Sequence, residues 1–136
     1  MEVIKDASAP IQSSADVVRV RQVVREWALG LGFSLVDQTK MVTAASELAR
    51  NTYEHGGGGM VRLESINNAS RRGLRLTFSD QGAGIADVEQ ALKDGFTTGS
   101  GLGLGLGGAK RLVNDFAIDS TPGQGTRVTI VRWRSA

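Results

Sequence analysis

Two stretches early in the chain repeat apolar residues at helical spacing, and later stretches alternate apolar with polar ones. From Asp16, the residues Val17, Val20, Val24, Trp27, Ala28 and Leu31 keep a helical period, while Arg19, Arg21, Gln22, Arg25 and Glu26 fill the opposite face. This predicts an amphipathic helix capped by Ser13 or Ser14 and ending at Gly30 or Gly32. A second helix is expected from Ser34, with Asp37 three residues on as the echo of a capping box. It runs through the core-facing Met41, Ala44, Ala45 and Leu48 to the glycines at 56–59, and its small residues allow close approach to a sheet. Met1 to Asp6 alternates apolar and charged residues, as a short edge strand would, and Pro10 then interrupts it.

Met60 to Asn67 and Gly73 to Ser79 alternate in the manner of two adjacent antiparallel strands. Leu74, Leu76 and Phe78 share one face, as do Val61 and Leu63 on the neighbour, and Asp80 stands where the second strand ends. A short helix is expected over Ala86 to Asp94 and another from about Leu106 to Asn114. The chain then reads as a final hairpin: Phe116 to Ser120, a turn at Pro122-Gly123-Gln124-Gly125, and Thr126 to Trp133. With no internal repeat and no linker, residues 1–136 read as one α+β domain. The expected architecture is a two-layer sandwich, a mixed and mostly antiparallel sheet with helices on one face.

Composition narrows the chemistry. The chain's 136 residues, 40% hydrophobic and 22% charged, suffice for a packed core. Without cysteine there is no disulfide, thiolate metal site or cysteine nucleophile. A single histidine argues against a histidine-rich metal site or a Ser-His-Asp triad. The net charge of +2 comes from scattered basic residues, and aromatics make up only 5%, which argues against nucleic-acid binding. No apolar run approaches the roughly 18 residues of a membrane span. The start carries no signal-peptide pattern, so a cytoplasmic protein is expected.

Three stretches carry candidate chemistry. Glu47, Arg50, Asn51 and Glu54 fall at i, i+3, i+4 and i+7 and form one polar stripe in the last turns of the second helix, just before the sole histidine, His55. Alone, such a stripe is a solvated face. Asp80-Gln81-Gly82-Ala83-Gly84 suits a tight turn equally with a carboxylate that accepts a hydrogen bond from a base amine. The segment Gly99 to Gly108 has six glycines in ten residues, interleaves leucine with glycine and opens into a helix. Free amides backed by a helix start suit phosphate oxygens, so it reads as a phosphate-cradling lid. It follows a loop rather than a first strand, which excludes a dinucleotide-binding βαβ unit, and there is no P-loop lysine motif.

Together these strings resemble the four ATP-site motifs of the GHKL (Bergerat-fold) superfamily: Glu47…Asn51…His55-Gly56, Asp80-x-Gly82-x-Gly84-Ile85, the run Gly101 to Leu106, and Gly125-Thr126. Within it, Glu47-Leu48-Ala49-Arg50-Asn51 and Pro122-Gly123-x-Gly125-Thr126 resemble RsbT-type serine/threonine switch kinases, and Arg50 before the motif asparagine differs from the typical anti-sigma branch. The resemblance implies ATP and Mg²⁺ as cofactors. It implies Glu47 as general base, Asn51 as metal ligand, and Asp80 as partner of the adenine amine with Thr126 in support. Gly82, Gly84 and Ile85 would shape the base pocket. Gly101, Leu102, Gly103, Leu104 and Gly105 would form the glycine-rich ATP lid. Arg50 would neutralise phosphate charge or meet a partner; both roles stay open. His55 is a structural or pocket-edge residue on this reading. The implied substrate is a STAS-domain antagonist, with a phosphatase as downstream partner and a monomeric or weakly dimeric protein. Sigma-factor sequestration by an anti-sigma kinase is the alternative.

Overall fold

The computed structural model describes residues 1–93 and 105–135. In chain order these form β1 (Glu2–Ile11), α1 (Ser14–Gly30), α2 (Leu35–Glu54), β2 (Gly59–Asn68), β3 (Arg71–Asp80), α3 (Val88–Ala91), α4 (Gly105–Arg111), β4 (Asp115–Thr121) and β5 (Gly125–Trp133). Both long helices start as the sequence predicts. Ser13 Oγ accepts from the Asp16 N–H and Ser34 Oγ from the Asp37 N–H, each at 3.1 Å.

The strands lie in the order β1-β2-β3-β5-β4. Every described pairing is antiparallel, so the sheet expected to be mixed has no parallel pair among its described strands. The β4–β5 hairpin folds back so that β5 lies against β3. β1 is longer than expected and pairs through Pro10 to Ile11, which is fully buried. An edge strand has one unpaired side, where a residue without an N–H is tolerated. The Lys5 ammonium, 4.4 Å from the Trp27 ring centroid, ties β1 to α1. α3 is a four-residue turn of helix rather than the longer one expected. α4 ends at Arg111, and Asn114 is already tied to β5: its N–H donates to the Val131 carbonyl and its Oδ1 accepts from the Trp133 N–H. No helix among the described residues is long and apolar enough to cross a membrane.

Residues paired across a pleated sheet share a face. On the face covered by α1 and α2, the register therefore forms lateral rows. Two are apolar: Leu63, Leu76, Ile130 and Phe116 in one, Val61, Phe78, Val128 and Ile118 in the next. Against them pack Val20, Val24 and Ala28 of α1 and Met41, Ala44, Ala45 and Leu48 of α2, all buried. The row beyond Val61 is polar: Gly59, Asp80, Thr126 and Ser120. The opposite face of the sheet carries charge, with Arg75 donating to Glu64 at 2.8 Å and Arg62 to Asp6 at 2.7 Å.

At the far end of the helix-covered face, Arg132 reaches the start of α2. Its Nε donates to Asp37 Oδ1 at 3.1 Å and its Nη1 to the Leu112 carbonyl at 2.8 Å. Ser135 Oγ donates to Asp37 Oδ2 at 2.6 Å. Asp37 is 3% exposed. Burial alone would raise its pKa, but the hydrogen bonds from Ser135 and Arg132 and the arginine's charge together lower it from 3.8 to about 2. The folded form therefore favours the ionised carboxylate. Its contribution of about 2 kcal/mol is present above pH ~4 and lost as the pH falls towards 2. Urea unfolding measured across that range will show this loss. Arg132→Met will lower stability at neutral pH by about 3–5 kcal/mol, since it strands a buried charge.

Candidate active site

The polar row of the sheet and the last turns of α2 face each other across a cavity of about 500 Å³. α2 contributes Glu47, Arg50, Asn51 and His55, because its 3.6-residue repeat sends Leu48, Ala49 and Thr52 into the core and the stripe beside them into the cavity. Glu47 Oε1 lies 3.7 Å from Arg50 Nη1, with the glutamate side chain largely covered and the arginine 37% exposed. Asn51 is half-buried, and its carbonyl accepts from the N–H groups of His55 at 2.9 Å and Gly56 at 3.1 Å, closing the helix. His55 is the C-cap residue at the cavity's rim.

Where α2 ends, the backbone passes very close to the end of β3. A Cβ on Gly56 would stand 2.3 Å from Asp80 Cγ, and one on Gly82 would stand 2.8 Å from Gly56 Cα. Only glycine fits this crossing. Asp80 is held from behind, its Oδ1 accepting from the Gly82 N–H at 2.9 Å. Gly82 thus supports Asp80 without itself lining the cavity. Gly84 and Ile85 do line it. Gly84 takes φ +77°, and a side chain there would meet the Thr121 carbonyl at 2.4 Å. The loop is pinned to the β4–β5 hairpin by two bonds: Ile85 N–H to Ser120 Oγ at 2.8 Å and Gly123 N–H to the Ala83 carbonyl at 2.7 Å.

Thr126, beside Asp80 on the neighbouring strand, and Gly105, at the start of α4, complete the expected residues on the wall. Gly101, Leu102, Gly103 and Leu104 lie outside the described residues. The sequence reading missed the apolar part of the wall: Phe78, Val128, Leu48, Ala91 and Leu106. Strand alternation held the signal for two of them, since Phe78 and Val128 stand two residues from Asp80 and Thr126 and so share their face. Ser120 was missed for a different reason, because only the β4–β5 register brings it to Thr126. The cavity therefore joins an apolar surface suited to a flat ring, a fixed carboxylate at its edge, and a carboxylate and amide on the facing helix. Among the described residues, no three acidic or histidine side chains gather into a metal site.

Residues 30–135 match the family of histidine kinase-, DNA gyrase B- and HSP90-like ATPases. The chain belongs to this family. Membership of a family of ATPases implies that the chain uses ATP. The chain is 42% identical to the serine/threonine-protein kinase RsbT of Bacillus subtilis over 123 residues, which cover 90% of this chain and 92% of that protein. It is 30% identical to the anti-sigma F factor of a Thermoanaerobacter species, covering 83% of this chain and 82% of the relative. Among solved structures, the RsbU and RsbW domains of a Mycobacterium tuberculosis protein superpose with a TM-score of 0.67 at 22% identity, covering 98% of this chain and 34% of that one. The mycobacterial sensor histidine kinase MprB gives 0.55 at 18% identity, covering 96% of this chain and 98% of that one. At those identities the two structures speak to the fold, which they share with this ATPase-family chain.

The helix–strand crossing makes a testable demand. Gly56→Ala will lower stability by about 1–3 kcal/mol through overpacking. By displacing Asp80 it will also weaken ATP binding by about tenfold or more. Gly30→Ala, whose Cβ meets nothing within 4 Å, is the control and will do neither. Urea unfolding and ATP-induced shifts in melting temperature measure both effects.

Proposed function

We propose that the chain is an ATP-dependent serine/threonine protein kinase that phosphorylates a STAS-domain antagonist in a bacterial partner-switching pathway. Once released from that antagonist it binds a downstream protein such as a phosphatase. The observation that carries this reading is 42% identity to a serine/threonine-protein kinase across nine-tenths of the chain. The reading takes residues 1–136 as one catalytic domain working in the cytoplasm.

The residues divide the work as follows. Asp80 accepts a hydrogen bond from the adenine amine, while Phe78, Ile85 and Val128 offer the ring an apolar surface. Thr126 supports the same contact. Gly105 and the preceding residues 101–104 receive the phosphates, where backbone amides and the start of α4 favour negative charge. Glu47 accepts the proton of the attacking serine or threonine hydroxyl. As that oxygen bonds to the γ-phosphorus, the bond to the bridging oxygen breaks and ADP leaves. Asn51, one helical turn from Glu47, offers a hard amide oxygen suited to Mg²⁺. A site with few protein ligands fits an ion that takes most of its coordination from phosphates and water. When bound, Mg²⁺ neutralises phosphate charge. Arg50, paired with Glu47 at the rim, keeps that carboxylate turned towards the cavity and adds positive charge beside the phosphates.

The second reading, sequestration of a sigma factor, draws on the 30% identity to an anti-sigma F factor. One experiment separates the two. Purified protein, Mg-ATP and a STAS-domain protein from the same organism will yield phosphoserine or phosphothreonine on that partner. Glu47→Ala will slow transfer by about 10²- to 10⁴-fold while ATP still binds. A partner left unmodified despite bound ATP would sink the kinase assignment, and a stable complex with a sigma factor would favour the alternative.

A further inference from the structure

Ser120 has no part in the chemistry above, yet its hydroxyl joins three elements at the cavity's edge. It accepts from the Ile85 N–H at 2.8 Å, donates to the Gly125 carbonyl at 3.2 Å, and lies 2.8 Å from Thr126 Oγ1. A serine hydroxyl has one proton and two lone pairs. The Gly125 carbonyl cannot donate, so the bond to it takes the Ser120 proton. The Ile85 amide occupies one lone pair, which leaves the other for Thr126. All three bonds hold together only when the Thr126 hydroxyl donates to Ser120, and the lone pairs of Thr126 are then what remain for the cavity.

Thr126 is the register partner of Asp80 on one side and of Ser120 on the other. Asp80, as a carboxylate, only accepts. Two acceptors therefore stand side by side on the wall, and a ligand group there must donate. We propose that Ser120 is a specificity-determining, positioning residue. By fixing the direction of the Thr126 hydroxyl, it makes this wall select a purine with a 6-amino group over one with a 6-oxo group. An amine donates to both acceptors, whereas a carbonyl oxygen would face two acceptors unpaired. Without Ser120, the Thr126 hydroxyl is free to rotate and donate to the carbonyl. The inference rests on Asp80 and Thr126 being the base-binding wall.

The test compares the dissociation constants of ATP and ITP, whose bases differ at position 6 and the adjacent ring nitrogen. The wild type will prefer ATP by about tenfold or more. Ser120→Ala will shrink that ratio severalfold, chiefly by improving ITP binding, and Ser120→Thr will restore it. Thr126→Val removes the hydroxyl that Ser120 acts through, so adding Ser120→Ala to it will leave the ratio unchanged. If Ser120→Ala fails to fold, Ser120→Cys, whose thiol is a weak donor and acceptor, decides the same question. An equal loss of affinity for both nucleotides, or an unchanged ratio, would mean that Ser120 merely holds the turn and would overturn the proposal. Asp80→Asn separates the levels. If it keeps the wild-type ratio, the base-wall reading fails and takes this inference with it. If it abolishes the ratio while Ser120→Ala does not, the role of Ser120 alone is wrong.

Discussion

The cavity depends first on the register of the antiparallel sheet. Asp80 is useful only because Thr126 stands opposite it on β5 and Ser120 opposite Thr126 on β4. Side chains alternate faces along a strand, so a slip of one residue in either pairing would send one of these groups to the far side of the sheet. The apolar rows one and two pleats away guard against this slip. Phe78, Val128, Leu76 and Ile130 would be turned out to the charged face by the same error, with the loss of most of the core. The site's geometry is thus stabilised by the burial of its neighbours rather than by bonds among its own polar groups.

α2 is the second half of the site, and its height above the sheet is set at both ends. At its start Asp37 is bound by Arg132 and Ser135 from the C-terminal segment. At its finish Gly56 lies against Asp80 and Gly82. Between them, Ala44, Ala45 and Ala49 have no bulk to hold the helix off the strands. Glu47 and Asn51 ride on this fixed rod. The distance from the Asn51 amide to the Asp80 carboxylate follows from helix and sheet packing, and the loops contribute little to it. The loop after Asp80 is the exception, and two hydrogen bonds to the β4–β5 hairpin hold it in place.

Much of this was legible in the residue order. Helical periodicity located α1 and α2, and the two serine caps fell where the pattern put them. Alternation located the strands, and the glycine motifs with their spacing pointed to the family. Other features were not legible. Pro10 reads as a strand breaker until β1 is known to be an edge. Asp37 reads as part of a capping box, and nothing near it announces an arginine 95 positions away. Gly82 reads as a glycine that shapes the pocket, but nothing local announces that its N–H holds the Asp80 carboxylate or that its backbone passes against Gly56.

What the sequence by itself determined is everything local: which segments curl or extend, which faces are apolar, and which polar residues share a helix turn. Those follow from dihedral preferences and periodicity within a few residues. The tertiary structure alone decided which strands are neighbours, and hence that Asp80, Thr126 and Ser120 form one row facing Glu47 and Asn51. Strand order and register are set by the burial of whole faces against α1 and α2. That is a property of the packed chain and of no single segment.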